Sequence, residues 1–129
     1  DAVKEVVHQT KDNTGMVINV ALSYGGRWEI VQTVKQMIDK ALNHQLDVES
    51  IDEEVFSHHL QTSGLPDPEL LIRSSGEKRL SNFLIWQSAY SEYVFDEAFW
   101  PDFNEHNVWT ALRDFQGRNR RFGTSSDAS

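Results

Sequence analysis

The sequence predicts an α/β fold built on a parallel sheet, and three observations predict it. Two short apolar runs, 16–22 and 70–72, are typical of strands that are buried on both faces. Small, turn-forming residues follow each run, and apolar residues at helical spacing come next. Strands that alternate with helices favour parallel pairing with right-handed crossovers. At 129 residues, the chain is one domain or part of one.

The first third of the chain predicts two helices around one strand. Residues 1–10 indicate the tail of a helix, and residues 12–15 carry turn chemistry. The strand over 16–22 ends at the Gly25-Gly26 pair. A helix then follows over about 27–43, because its apolar residues recur three and four positions apart.

The middle of the chain predicts a helix and a linker before the second strand. Ser50 can cap this helix, because Glu53 stands three residues later as in a capping box. We expect the helix to end near Leu60. The linker over 62–68 is dense in turn residues, and the strand over 70–72 follows it at once.

The last third predicts a helix from Ser81 to about Tyr90, a short strand over 93–95 and a final helix. Asp102 or Asn104 can cap the final helix. Its predicted apolar face consists of Val108, Leu112 and Phe115. The ordered domain is expected to cover 1–123, and 124–129 is expected to be a disordered tail.

Composition excludes several classes of function. The formal net charge of −8 argues against general nucleic-acid binding. The absence of cysteine excludes disulfides and cysteine-based metal sites. No apolar run approaches the ~18 residues that a membrane-spanning helix needs, and no signal peptide pattern begins at Asp1. The expected location is therefore the cytoplasm.

An anion site is predicted where the second apolar run ends. Arg73 stands at that end, residues 74–76 can turn the chain, and Arg79 and Ser81 follow. Guanidinium groups match phosphate oxygens, and open α/β sheets place anionic ligands between a strand end and a helix start. The residues alone leave open a second interpretation, in which two surface arginines pair with neighbouring glutamates.

The stretch from Arg73 to Phe83 resembles the isopentenyl-diphosphate-binding signature of the cis-prenyltransferases. Four further stretches resemble other late motifs of that family, in the same order: 23–28, 86–92, 99–103 and 120–123. The resemblance runs from about residue 15 to residue 123. It implies the parallel-sheet cis-prenyltransferase fold, here only its C-terminal half, with the N-terminal half of the domain missing.

The resemblance also implies an activity. The complete enzyme would condense isopentenyl diphosphate units with farnesyl diphosphate to a long-chain polyprenyl diphosphate of the undecaprenyl type, a lipid carrier for cell-wall glycan synthesis. Arg73, Arg79 and Ser81 would hold isopentenyl diphosphate. Arg121 and Gly123 resemble the family's terminal motif and would therefore reach the partner's diphosphate site in a homodimer. Peripheral membrane contact would come through the lipid product.

The resemblance places Glu92 on a glutamate that helps to bind Mg²⁺, although the residues alone favour a solvated carboxylate there. The catalytic aspartate and most of the hydrophobic tunnel would belong to the missing half, so no catalytic residue is expected in this chain. A lone carboxylate makes a weak Mg²⁺ site, so the isolated chain is expected to bind Mg²⁺ poorly and to be inactive. Two alternatives are a non-catalytic or regulatory diphosphate-binding subunit and an unrelated nucleotide-phosphate-binding domain.

For three further features, a structural role is favoured over a functional one. Gly25 and Gly26 allow close backbone approach, for which a packing turn is favoured over a ligand. The adjacent His58 and His59 face about 100° apart on a helix, so they cannot chelate a metal as a pair. An apolar stripe predicts core packing or a dimer face, with a lipid-binding wall as the alternative: Phe83, Leu84, Trp86 and Tyr90.

Overall fold

A computed structural model describes residues 2–119. Within that range the chain forms four α-helices, two strands and two single-turn 3₁₀ helices. The α-helices are α1 (Ala2–Thr10), α2 (Gly26–Leu42), α3 (Glu53–Ser57) and α4 (Glu105–Gln116). The strands are β1 (Leu70–Arg73) and β2 (Glu92–Phe95), and the 3₁₀ helices are Val48–Ser50 and Trp100–Asp102.

The sheet consists of β1 and β2, which pair in parallel. Leu70 lies opposite Glu92, and Arg73 lies opposite Phe95. This pairing confirms the predicted α/β class. Because the carboxyl ends of parallel strands meet at one edge, the loops that follow β1 and β2 are brought together there.

The predicted strand over 16–22 is wrong. These residues form no strand, and their apolar side chains are exposed, with Met16 85% and Ile18 75% accessible. A strand needs a neighbour for its backbone groups, and within residues 2–119 the strands β1 and β2 pair only with each other. The run is apolar enough for a buried strand, but no described part of this chain covers it.

Helix α2 confirms the prediction over 27–43 and shows an unusual orientation. The face that it buries carries Gly26, Glu29, Thr33 and Met37. The opposite face exposes a row of large apolar side chains at helical spacing: Trp28, Val31, Val34, Ile38 and Leu42. A surface helix normally turns its apolar face inward. The exposed row, called here the outer stripe of α2, therefore has no partner among residues 2–119.

Two other helix predictions are corrected. Asp52, not Ser50, caps α3, because its Oδ1 accepts a 2.7 Å hydrogen bond from the Val55 N–H. The predicted helix from Ser81 to Tyr90 is wrong. Ser81 and two of the next three residues have positive φ, which breaks a right-handed helix.

Helix α3 ends at Ser57 rather than near Leu60, where the predicted helix was expected to end. Three other elements agree with their predictions. Helix α1 matches the expected first helix, and β2 matches the expected short strand. Asn104 caps α4 through a 2.9 Å hydrogen bond from the His106 N–H, in a capping box with Asn107. The expected disordered tail over 124–129 lies outside the described residues.

Candidate functional site

The guanidinium of Arg73 closes the loop that follows β1. Its Nη1 donates a 2.8 Å hydrogen bond to the Ser81 hydroxyl and a second hydrogen bond to the main-chain carbonyl of Arg79. A guanidinium has five N–H donors, and these two contacts use only those of Nη1. The donors of Nε and Nη2 can therefore meet an anion while Nη1 holds the loop.

The first turn of this loop lies against the loop that follows β2. The Ser75 N–H donates to the Ala98 carbonyl at 2.7 Å, and the Gly76 N–H donates to the Asp96 carbonyl at 2.8 Å. Ser75 and Gly76 both have positive φ, of 76° and 68°. Glycine adopts this conformation without strain, and a Cβ on Gly76 would also displace the Glu97 carboxylate. The sheet edge therefore dictates the course of the loop.

The side chain of Arg79 does not join the pair formed by Arg73 and Ser81. Its Nη1 forms an ion pair with Glu77 Oε2, and the Arg79 side chain is 64% exposed. The interpretation of arginines paired with glutamates thus describes Arg79 but not Arg73. Exposed ion pairs of this kind contribute little stability, so a multiply charged anion can take the place of Glu77 at low cost.

The structure separates Glu92 from Arg73 and Ser81. Glu92 begins β2 opposite Leu70, three residues before the position opposite Arg73. At about 3.3 Å per residue, the two positions are about 10 Å apart along the sheet. Within residues 2–119 there is no group of three or more His, Asp or Glu side chains that could hold a metal. The described residues alone therefore do not fit a Mg²⁺ site.

Arg118, which follows α4, holds Glu92. Its Nη1 donates to Glu92 Oε2 at 2.8 Å and to the Tyr93 carbonyl at 3.0 Å. Its Nη2 and Nε donate to the two carboxylate oxygens of Asp114, at 2.6 and 3.2 Å. These hydrogen bonds raise the pKa of Arg118 and lower the pKa of Asp114. The ion pair fixes the end of α4 on β2.

A buried carboxylate, missed by the sequence analysis, ties α2 to the segment after the loop. Glu29 is 1% exposed. Its Oε2 accepts hydrogen bonds from the Tyr24 hydroxyl at 2.5 Å and from Gln87 Nε2 at 3.1 Å, and its Oε1 accepts from the Gln61 N–H at 2.8 Å. Burial and the Glu29 carboxylate raise the pKa of Tyr24. A buried charge needs such partners.

The glycine pair at the start of α2 forms a packing turn, the interpretation that the sequence favours. The Asn82 carbonyl accepts from the Gly26 N–H at 2.7 Å, and Asn82 Oδ1 accepts from the Arg27 N–H at 2.9 Å. A Cβ on Gly25 would lie 2.8 Å from Asn82 Nδ2. The loop after β1 therefore approaches the first turn of α2 where a side chain would block it. Asn82 was not singled out from the sequence, and its only signal is its place beside Ser81.

The two adjacent histidines have structural roles. His58 Nδ1 and His59 Nδ1 each lie 2.8 Å from a main-chain carbonyl one turn earlier, those of Glu54 and Val55. Each carbonyl is an acceptor, so each Nδ1 acts as the donor. Each histidine therefore has a main-chain partner one turn earlier in the chain.

The predicted apolar stripe divides into three environments. Phe83 and Leu84 line a cavity of about 410 Å³ together with part of the exposed segment 16–22. Trp86 packs on Phe56 with ring centroids 4.4 Å apart, whereas Tyr90 is 67% exposed. The stripe is thus partly packed and partly open. Arg121 and Gly123 lie outside the described residues.

Comparison with known proteins identifies the family. A prenyltransferase family model, described as "Putative undecaprenyl diphosphate synthase", matches residues 1–123. The chain belongs to the prenyltransferase family. Isoprenyl transferases resemble this prenyltransferase chain closely, with 53% identity over 122 residues for that of Bacillus subtilis and 51% over 123 residues for that of Oceanobacillus iheyensis. These matches cover 95% of this chain but 47% and 49% of the relatives.

Solved structures show the same fold. Lavandulyl diphosphate synthase from Lavandula x intermedia, in complex with dimethylallyl diphosphate, has a TM-score of 0.92 and 38% identity, over 96% of this chain and 53% of that one. A probable undecaprenyl diphosphate synthase from Campylobacter jejuni has a TM-score of 0.77 and 34% identity, over 96% and 57%. This prenyltransferase chain therefore has the cis-prenyltransferase fold, and it spans about half the length of the relatives it matches. No helix within residues 2–119 has the length and apolar character needed to cross a bilayer.

Proposed function

We propose that this chain supplies the isopentenyl diphosphate site of a cis-prenyl chain-elongating enzyme. The contact of Arg73 with the Ser81 hydroxyl and the Arg79 carbonyl carries the proposal. It holds a guanidinium at the carboxyl end of a parallel strand with donors to spare, which is where α/β sheets bind anions. Membership of the prenyltransferase family supports a diphosphate as that anion.

In this proposal the site acts by positioning its substrate. Arg73 and Ser81 hold the diphosphate of isopentenyl diphosphate, and Arg79 leaves Glu77 to bind the same group. The fixed double bond then attacks the allylic carbon of farnesyl diphosphate, from which diphosphate departs, and the isopentenyl unit loses one proton. Fixing the nucleophile in this way removes an entropic part of the barrier. Repeated additions in the cis configuration give an undecaprenyl-type chain, a carrier for cell-wall glycans.

Arg121 and Gly123 are proposed to reach the diphosphate site of the partner subunit in a homodimer. Arg118 holds Glu92 from the segment that leads to this motif, one residue before the end of the described range. The segment therefore leaves α4 close to the start of β2.

Magnesium is proposed as the cofactor of the whole protein. Glu92 would supply one carboxylate oxygen, and the other ligands would come from a substrate diphosphate and from outside this chain. Mg²⁺ prefers hard oxygen ligands and is usually held by one or two carboxylates together with substrate phosphates. The isolated chain is accordingly proposed to bind Mg²⁺ poorly and to be inactive.

The exposed apolar surfaces support a further half of the domain. The outer stripe of α2 and the segment 16–22 are both uncovered in the described part of the chain. Contiguous apolar surface of this kind marks an interface. We propose that 1–123 is the C-terminal half of one domain and that an N-terminal half covers the segment 16–22. The location is proposed to be cytoplasmic, with membrane contact through the lipid product.

Incorporation of radiolabelled isopentenyl diphosphate by the complete gene product tests this function. The protein should elongate farnesyl diphosphate, and Arg73→Ala should raise the KM for isopentenyl diphosphate. Arg113→Ala, on the exposed side of α4, is the matched control and should leave the KM unchanged. A folded, complete protein that binds isopentenyl diphosphate without elongating it would indicate the regulatory subunit instead.

A further inference from the structure

Asn82 lies between the candidate diphosphate site and the start of α2. It directly follows Ser81, the hydroxyl partner of Arg73. Ser81 and Asn82 have φ values of 49° and 69°, so two successive non-glycine residues are left-handed. Such a turn needs support from its surroundings, because most side chains disfavour this conformation.

The support comes from the first turn of α2. The N-cap residue of α2 is Gly25, which has no side chain to satisfy the first N–H groups. Asn82 takes over that role: its carbonyl accepts from the Gly26 N–H, and its Oδ1 accepts from the Arg27 N–H, 55 residues earlier in the chain. Asparagine suits both demands, because it is among the best capping residues and tolerates the left-handed region better than most.

The same contacts restrict the position of Ser81. The Asn82 amide group lies against Gly25, and the Asn82 carbonyl is held by the Gly26 N–H. Both the side chain and the main-chain carbonyl of Asn82 are therefore held by the start of α2. Since Ser81 is its neighbour in the chain, the direction of the Ser81 hydroxyl toward Arg73 depends on this attachment.

We propose that Asn82 is a positioning residue of the diphosphate site, acting through Ser81. It transmits the position of the Gly25-Gly26 turn to the hydroxyl that holds the Arg73 guanidinium. This inference rests on the proposed function, because it assigns Asn82 to the site that would bind isopentenyl diphosphate. Asn82 itself is not proposed to contact the substrate.

Steady-state kinetics of the complete gene product test this role. Asn82→Gly keeps the left-handed backbone accessible and removes only the side chain. It should raise the KM for isopentenyl diphosphate about fivefold, the size of one lost hydrogen bond, while kcat changes less than about twofold. Asn104→Ala is the matched control, since it removes an asparagine cap from α4, and it should leave the KM unchanged.

A double-mutant cycle separates positioning from general destabilisation. If Asn82 acts through Ser81, Asn82→Gly should change the KM less than about twofold in a Ser81→Ala background. Gly25→Ala disturbs the same contact from the side of α2 and should also raise the KM, which provides a second variant if Asn82→Gly does not fold. The proposal is overturned if the variants that fold leave the KM unchanged, if Asn104→Ala raises it equally, or if the two substitutions are additive.

The same measurements distinguish a failure of the proposed function. If the unaltered protein shows no use of isopentenyl diphosphate, or if Arg73→Ala leaves its KM unchanged, the proposed site is wrong and the role of Asn82 falls with it. If Arg73→Ala raises the KM but Asn82→Gly does not, only the role of Asn82 is wrong.

Discussion

The Arg73 guanidinium and the Ser81 hydroxyl are joined by a 2.8 Å hydrogen bond across eight residues of chain. Arg73 ends β1, so its position is set by the sheet. Ser81 lies in a left-handed turn that the start of α2 supports through Asn82. A sheet edge and a helix start thus fix the two ends of one loop, which gives the candidate anion site a defined shape.

Ser75 carries a backbone cost that glycine would relieve. Its φ of 76° lies in the left-handed region, which disfavours side chains with a Cβ. Ser75→Gly should raise the free energy of unfolding by about 1 kcal/mol. Urea denaturation measures this change. Ser74→Gly is the control, because Ser74 is not left-handed and the added backbone freedom should destabilise the protein. Destabilisation by both substitutions to a similar extent would contradict the account of the loop.

Gly25 is required by the close approach of Asn82. Gly25→Ala places a Cβ 2.8 Å from Asn82 Nδ2 and should lower the free energy of unfolding by about 1–2 kcal/mol. Gly15→Ala is a matched control, since a Cβ there meets nothing within 4 Å. Thermal unfolding should show a lower Tm for Gly25→Ala and little change for Gly15→Ala. Equal Tm values would mean that Asn82 does not crowd the turn.

The sequence predicted those helices and strands that depend on the local pattern of apolar residues. Periodic apolar residues located α2 and α4, and the run before Arg73 located β1. The prediction of a strand over 16–22 failed because a strand also needs a neighbouring strand, which the apolar run itself does not specify. The prediction of a helix after Ser81 failed because Asn82 caps α2 through the Arg27 N–H, 55 residues earlier in the chain. No local pattern reveals a contact of this kind.

The sequence predicted only part of the candidate site. The types and spacing of Arg73 and Ser81 indicated an anion site, and the structure brings these two side chains together. The ion pair between Arg118 and Glu92 was not predicted, because it joins two segments that meet only when α4 packs on β2. The buried Glu29 was missed because a glutamate near a helix start is usually exposed.

Arg118 should control the titration of Asp114. Its guanidinium lowers the pKa of Asp114 below the ordinary value of 3.8. The stabilisation is therefore present above the unfolded pKa and is lost as the pH falls through the lowered folded pKa. Arg118→Gln should return the pKa of Asp114 toward 3.8, as measured by carbon NMR of the carboxyl group. An unchanged pKa would show that the pair is absent in solution.

Tyr24 should make the fold sensitive to alkaline pH. Burial and Glu29 raise its pKa above the ordinary value of 10.0, so the unfolded chain releases this proton first. The stabilisation is complete below about pH 10 and is lost as the pH rises toward the folded pKa. Thermal unfolding between pH 8 and 11 should show a steeper loss of Tm for the unaltered protein than for Tyr24→Phe. Parallel curves would contradict the assigned hydrogen bond.

Equilibrium binding of isopentenyl diphosphate to the complete gene product, followed by calorimetry without an allylic substrate, tests the central claim most directly. One lost charge-assisted hydrogen bond corresponds to about 1.5–3 kcal/mol, so Arg73→Ala should weaken binding about 10- to 100-fold. Ser81→Ala should weaken it less, and Arg113→Ala should not change it. Binding of equal strength to the unaltered protein and to Arg73→Ala would contradict the assignment of this loop as the diphosphate site.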